Sequence, residues 1–127
     1  MLARTLEDLP EKVRRDPEFG PAVYLLTAPL IADKIPDGWV NLERRFINWE
    51  LLIPRAQMWS TGEKMYVALA FNLWSGNTDY AWITPGDLYL NPYRWSRTLT
   101  DPSRLLEAIG LSCGLVVPEL ASLGEAF

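Results

Sequence analysis

The segment Met65–Trp74 constrains the fold more than any other part of the chain, because Asn72 is its only polar residue. Local signals mark it as a helix. Ser60–Glu63 has the pattern of a capping box, and Gly76 stands where a left-handed residue commonly ends a helix. A helix that is apolar on nearly every side must be surrounded by other elements. The sequence therefore predicts a core helix with the rest of the chain packed around it.

Several other helices are predicted from a capping residue placed directly before a proline. Proline has no N–H to lose in the first turn, and its fixed φ suits a helix start. The four such sites are Asp16-Pro17, Thr84-Pro85, Asn91-Pro92 and Asp101-Pro102. Together with apolar periodicity, they predict short helices over Leu6–Arg15, Pro17–Ala28, Pro85–Leu90, Pro92–Thr98 and Pro102–Ile109, the last ended by Gly110.

Three segments have less specific patterns. Apolar residues at helical spacing favour a helix over Asn41–Leu52, and the alternative is a short strand over Phe46–Ile53, because Pro54 ends any helix there. Asp79–Ile83 is predicted to be extended. Leu115–Val117 is expected to form a strand or a last helical turn.

These patterns predict one mainly α domain over residues 1–127, with about six short helices and two or three short strands at its margin. A chain of this length is one ordinary domain and needs no disulfide or metal to stabilise its core. The N-terminal helix in residues 1–15 and the tail 111–127 are expected at the periphery.

Composition excludes several classes of function. The chain has no histidine, which removes most metal sites and every Ser–His or Cys–His nucleophile. Its pI near 4.8 argues against a broad DNA-binding surface and against an anionic membrane. Cys113 is the single cysteine, and no apolar run is long enough to span a bilayer. The expectation is a cytoplasmic protein without metal or cofactor.

The core segment also resembles a known group of proteins. Residues 69–76, Leu-Ala-Phe-Asn-Leu-Trp-Ser-Gly, are similar to the central motif of a small family of uncharacterised proteins carried by bacterial phages and integrated mobile elements. Asp16-Pro17 with residues 22–27, and residues 105–109, resemble its flanking segments. The stretch 89–101 is longer than the family's usual pattern. The resemblance implies a phage or mobile-element accessory protein acting on a host component, with no catalytic residues to carry over.

The candidate binding residues are aromatic and arginine side chains, the types enriched in binding hot spots. Trp39 lies beside the Pro36-Asp37-Gly38 turn, where a large ring is hard to bury. Tyr93, Arg94, Trp95 and Arg97 alternate on one predicted helix. A half-buried helix with exposed arginines is the alternative interpretation of this quartet.

Other polar and aromatic positions have simpler interpretations. Trp49 and Trp74 are predicted to pack in the core. Asn72 is predicted to hydrogen-bond the backbone of a neighbouring loop, with a ligand contact as the alternative. The arginines at 44 and 45 are predicted to lie on a solvated helix face. The carboxylate pairs considered for catalysis, which no spacing singles out, are Asp79 with Asp87 and Glu63 with Glu107.

The sequence therefore predicts a non-catalytic protein-binding factor that occludes a site on a host protein. By analogy with small acidic phage proteins, host RNA polymerase or its σ factor is the first candidate partner. The alternatives are a regulator that binds nucleic acid or a small ligand, and an immunity or antitoxin-like protein whose acidic ends face a basic toxin.

Overall fold

A computed structural model describes residues 1–84 and 102–114 of the chain. In these ranges the fold is mainly α with a small two-stranded antiparallel sheet, which confirms the predicted fold class. The elements are α1 (Glu11–Arg14), α2 (Phe19–Leu26), β1 (Val40–Asn41), β2 (Phe46–Ile47), α3 (Trp49–Ala56), α4 (Thr61–Ser75) and α5 (Ser103–Ser112), with 3₁₀ turns at Leu6–Asp8 and Ala32–Lys34. The predicted elements Pro85–Leu90, Pro92–Thr98 and Leu115–Val117 lie outside the described residues.

The core helix α4 forms as predicted. The Glu63 amide donates to the Ser60 hydroxyl at 3.3 Å, and the Ser60 amide donates to the Glu63 carboxylate at 3.0 Å. Gly76 ends the helix with a φ of +74°. The Asn72 side-chain amide donates to the Asn77 carbonyl at 3.3 Å, which confirms the predicted bond to a loop backbone.

Helix α2 is buried along its entire length and packs against α1, α4 and α5. It starts at Phe19 instead of Pro17, but Asp16 caps it as expected. One Asp16 oxygen accepts the amides of Glu18 at 3.1 Å and Phe19 at 2.9 Å. The core therefore contains two central helices, whereas the sequence predicted one.

The N-terminal segment differs from its prediction in two ways. Pro10 divides the predicted helix Leu6–Arg15 into the 3₁₀ turn and the four-residue α1. Residues 1–15 also contribute to the main core instead of lying at its periphery. The buried side chains in this segment are Ala3, Leu6, Leu9 and Val13.

The prediction of a helix over Asn41–Leu52 is wrong. The Asn41 side chain accepts the Arg44 amide at 3.0 Å, and Arg45 reverses the chain with a φ of +53°. The chain then forms the β1–β2 pair, and α3 begins at Trp49, where the Asn48 side chain accepts the Leu51 amide at 3.2 Å. Polar side chains that hydrogen-bond the nearby backbone compete with helix formation, and here they favour the turn and the late start of α3.

Three smaller predictions are also corrected. Helix α3 passes through Pro54, which lies on its exposed side, where water can solvate the carbonyl that proline leaves without a donor. Helix α5 continues past Gly110 to Ser112, because packing against α2 and α4 stabilises it. In the segment predicted to be extended, Tyr80 and Ile83 pair across a tight turn.

The aromatic residues predicted to pack in the core do so. Trp74 meets Phe19 edge-on with ring centroids 5.7 Å apart, and Trp49 meets Phe71 edge-on at 5.2 Å. Trp49 packs against a second, smaller cluster of buried residues that includes Ile53 of α3. Helix α3 is thus packed on one face, which leaves its other face outward.

Candidate protein interface

Four tryptophans that are partly buried against the core each have a lysine or arginine side chain over the ring. The pairs, with their distances to the ring centroid, are Trp39 with Arg55 at 5.3 Å, Trp59 with Lys34 at 5.8 Å, Trp74 with Arg45 at 4.7 Å and Trp82 with Lys64 at 4.9 Å. Such contacts orient long cationic side chains on an apolar surface.

The outward face of α3 presents apolar side chains to solvent. Leu51 is 52% exposed and Met58, two residues beyond the end of the helix, is 88% exposed. Arg55 lies between them and shares a face of α3 with Leu51 at i and i+4. Met58 follows in the turn after the helix, where Gln57 still has helical backbone angles. The residues on the other face, Leu52, Ile53 and Ala56, are buried. We call Trp39, Leu51, Arg55 and Met58 the α3 surface.

The loop before β1 places Trp39 beside this face. The Trp39 amide donates to the Pro36 carbonyl at 3.2 Å, and the Trp39 carbonyl accepts the amide of Asn48, the N-cap of α3, at 2.8 Å. The ring is half-buried against the core and lies under the Arg55 guanidinium. Of the sequence-predicted binding residues, Trp39 is therefore part of an exposed aromatic and arginine surface.

The charge of Arg55 is available to a ligand. Among the cations over tryptophans, Arg45 pairs with Asp16 at 2.5 Å and Lys34 pairs with Glu63 at 2.7 Å. No carboxylate in residues 1–84 or 102–114 pairs with Arg55, or with Lys64 over Trp82. A guanidinium stacked on a ring keeps its in-plane N–H donors free for a bidentate contact.

The arginine pair at 44–45 differs from its predicted role on a solvated helix face. Arg45 lies in a turn and donates from Nε and Nη2 to the Asp16 carboxylate. This contact lowers the pKa of Asp16 to about 2, with smaller contributions from the two capped amides, and burial opposes the shift. Asp16 thus links the start of α2 to the β1–β2 turn.

The quartet Tyr93, Arg94, Trp95 and Arg97 lies outside the described residues, and so does Asp87. Of the remaining acids considered for catalysis, Asp79 is exposed and the other two have structural partners. Glu63 is held by Lys34, which lowers the pKa of its carboxyl, and Glu107 accepts the Tyr24 hydroxyl at 2.5 Å. In the part of the chain that the structure describes, no three His, Cys, Asp or Glu side chains form a metal-binding group.

Sequence reasoning missed Arg104, which is 8% exposed. Its Nη2 donates to the Ala3 carbonyl at 2.6 Å and to the Tyr24 carbonyl at 2.7 Å, and its Nη1 donates to the Arg4 carbonyl at 3.1 Å. Burial lowers the pKa of this guanidinium. Only its spacing in the sequence could have indicated that Arg104 is buried. It lies four residues before Ala108, on the buried face of α5.

The other three residues of the α3 surface, Leu51, Arg55 and Met58, were also missed, because the predicted helix boundaries were wrong. With α3 placed at Trp49–Ala56, the alternation of buried and exposed positions would have shown Leu51 and Arg55 on the outward face.

No family model, no curated protein and no solved structure matches this chain. The resemblance to phage and mobile-element proteins therefore stays a prediction from the motif in α4. None of the helices in the described ranges is both long enough and apolar enough to cross a membrane.

Proposed function

We propose that this chain is a non-catalytic protein-binding accessory factor of phage or mobile-element origin that occludes a site on a host protein. The observation that carries the proposal is the α3 surface, where exposed apolar side chains adjoin an arginine that lies over the Trp39 ring. Tryptophan and arginine are the residue types over-represented in binding hot spots.

The energetics of this surface favour a protein partner. Full burial of a leucine or methionine side chain stabilises a complex by roughly 1.5–3 kcal/mol. Leu51 and Met58 are 52% and 88% exposed in the free chain, so a partner can bury the apolar surface that remains. Because Trp39 already orients Arg55, binding costs less side-chain entropy than it would for a free arginine.

The partner expected first is host RNA polymerase or its σ factor. Support for this choice comes from the motif resemblance and from the analogy with small acidic phage proteins. The alternating quartet Tyr93, Arg94, Trp95 and Arg97 is proposed as a further part of the binding surface.

The test is an affinity pull-down of the tagged chain from lysate of its own host, read by mass spectrometry. We compare the wild type with Leu51→Ser combined with Met58→Ser, and with Leu106→Ser as a matched control, because Leu106 is 53% exposed on α5. The α3 variant is expected to lose at least about tenfold in affinity. The control is expected to keep full recovery, and both variants to keep nearly the wild-type thermal midpoint.

A second variant tests the predicted quartet. Arg94→Ala combined with Trp95→Ala is expected to abolish recovery of the partner while the thermal midpoint stays nearly unchanged. Equal loss of folding and binding would assign these residues to the core. An empty lane at low and high salt would contradict the proposed function, and recovery of nucleic acid with a steep salt dependence would favour the nucleic-acid alternative.

A further inference from the structure

We infer that the α3 surface receives an amphipathic helix of the partner that places a carboxylate opposite Arg55; this inference rests on the proposed function. It specifies the secondary structure and the charge of the partner segment.

The shape of the surface favours a helix. Leu51 and Arg55 lie four residues apart on α3, the spacing of the ridges by which helices pack into each other's grooves, and Met58 extends this row in the turn after the helix. Strand addition is disfavoured, because β1 and β2 have only two residues each and offer too short an edge for a peptide to extend.

The charge of the surface requires an acidic partner residue. Arg55 has no carboxylate partner in the described chain, whereas Arg45 and Lys34 are already neutralised by Asp16 and Glu63. A helix that covers Leu51 and Met58 also covers the arginine between them. A guanidinium that loses water without a counter-charge is unfavourable, so a stable complex pairs it with Asp or Glu.

The opposite charge lies on the other side of Leu51. Glu50 directly precedes Leu51 in α3 and is exposed, and at about 100° per residue it lies on the side of Leu51 away from Arg55. A partner helix with a carboxylate facing Arg55 and a lysine or arginine facing Glu50 is complementary to both flanks, and this pattern sets the orientation of the two helices.

The test places a photocrosslinking benzoylphenylalanine at position 58 of the full-length chain and irradiates it in lysate of the natural host. A matched probe at position 106 on α5 is the control. The expected product at position 58 is a crosslink to a partner segment with apolar residues at helical spacing and an acidic flank. The control probe is expected to leave that segment uncrosslinked.

A charge-reversal pair then tests the contact itself. Arg55→Glu is expected to weaken binding of the purified partner roughly tenfold to a hundredfold. Reversal of the crosslinked acidic residue to arginine is expected to restore binding to Arg55→Glu and to weaken binding to the wild type.

The outcomes separate this inference from the proposed function. A crosslink to a strand, to nucleic acid or to a second copy of this chain overturns the helix assignment. Partner recovery without any crosslink at position 58 also overturns it, and an affinity unchanged by Arg55→Glu overturns the carboxylate contact. In these last two cases the protein-binding function stands. An empty pull-down together with no crosslink contradicts both.

Discussion

At the scale of single residues, Asp16 shows how one side chain serves a local and a distant role. It caps α2 through two backbone amides, and it pairs with Arg45, which lies 29 residues further along the chain. The capping role was predictable from the Asp-Pro pattern. The ion pair was not, because nothing local distinguishes Arg45 from its neighbour Arg44.

The Asp16 pair makes stability depend on pH. The pKa of this carboxyl in the folded chain is about 2, below its ordinary 3.8, so its contribution is fully present above about pH 4 and is lost as the pH falls toward 2. Asp16→Asn is expected to lower the free energy of unfolding by about 1–2 kcal/mol at pH 6, after screening by solvent.

Urea unfolding of wild type and variant at pH 6, 4 and 2.5 checks this expectation. Asparagine still caps a helix, so the comparison isolates the charge. The difference between the two proteins should shrink toward zero at the lowest pH, and a difference that is independent of pH would contradict the assignment.

At the scale of elements, α1 and α2 approach each other at Gly20. A Cβ built at this position lies 2.4 Å from the Val13 carbonyl oxygen, a backbone atom that cannot move aside alone. Glycine in a helix normally costs stability relative to alanine. Here the close approach reverses that preference.

Gly20→Ala is therefore expected to destabilise the protein by about 2 kcal/mol or more. Gly76→Ala is the comparison, because nothing lies within 4 Å of its built Cβ and only its positive φ opposes the change. That strain corresponds to about 1 kcal/mol. Denaturant unfolding measures the loss of stability in both variants. A loss at Gly20 equal to or smaller than that at Gly76 would argue against the close approach of α1 and α2.

The elements also show where sequence patterns mislead. Leu42, Phe46, Trp49 and Ile53 have helical spacing, yet Phe46 is exposed in β2 and only the last two share a face of α3. Helical periodicity is meaningful only if the intervening residues stay helical. Side-chain bonds from Asn41 and Asn48 prevent this, and they create the boundary that makes the α3 surface possible.

At the scale of the whole molecule, Arg104 joins segments that are far apart in sequence. From α5 it donates to carbonyls of residues 3 and 4 and to the Tyr24 carbonyl near the end of α2, and its guanidinium lies 3.9 Å from the Tyr24 ring centroid. The Tyr24 hydroxyl in turn donates to Glu107 of α5. The N-terminal segment, α2 and α5 are therefore held together by a buried polar network.

Loss of Arg104 is expected to weaken the whole fold. Arg104→Ala should lower the free energy of unfolding by about 3 kcal/mol or more, because buried carbonyls lose their donor. Arg104→Lys should cost about 1–2 kcal/mol, since an ammonium cannot reproduce the planar fork.

Thermal and urea unfolding measure these effects, with Arg44→Ala as the control on an exposed arginine, expected within about 0.5 kcal/mol of wild type. Near-wild-type stability of Arg104→Ala would show that the network contributes little.

The sequence by itself determined the features that arise within four or five residues. The bounds of α4, its capping box, the left-handed Gly76 and the Asp16 cap depend on neighbouring atoms, so their signals are local. Only the tertiary structure decided which distant partners meet: Asp16 with Arg45, and Arg104 with the chain's first residues. It also decided that α3 turns Leu51 and Arg55 outward. Chemically equivalent side chains have the same local preferences, and the geometry of packed helices selects among them.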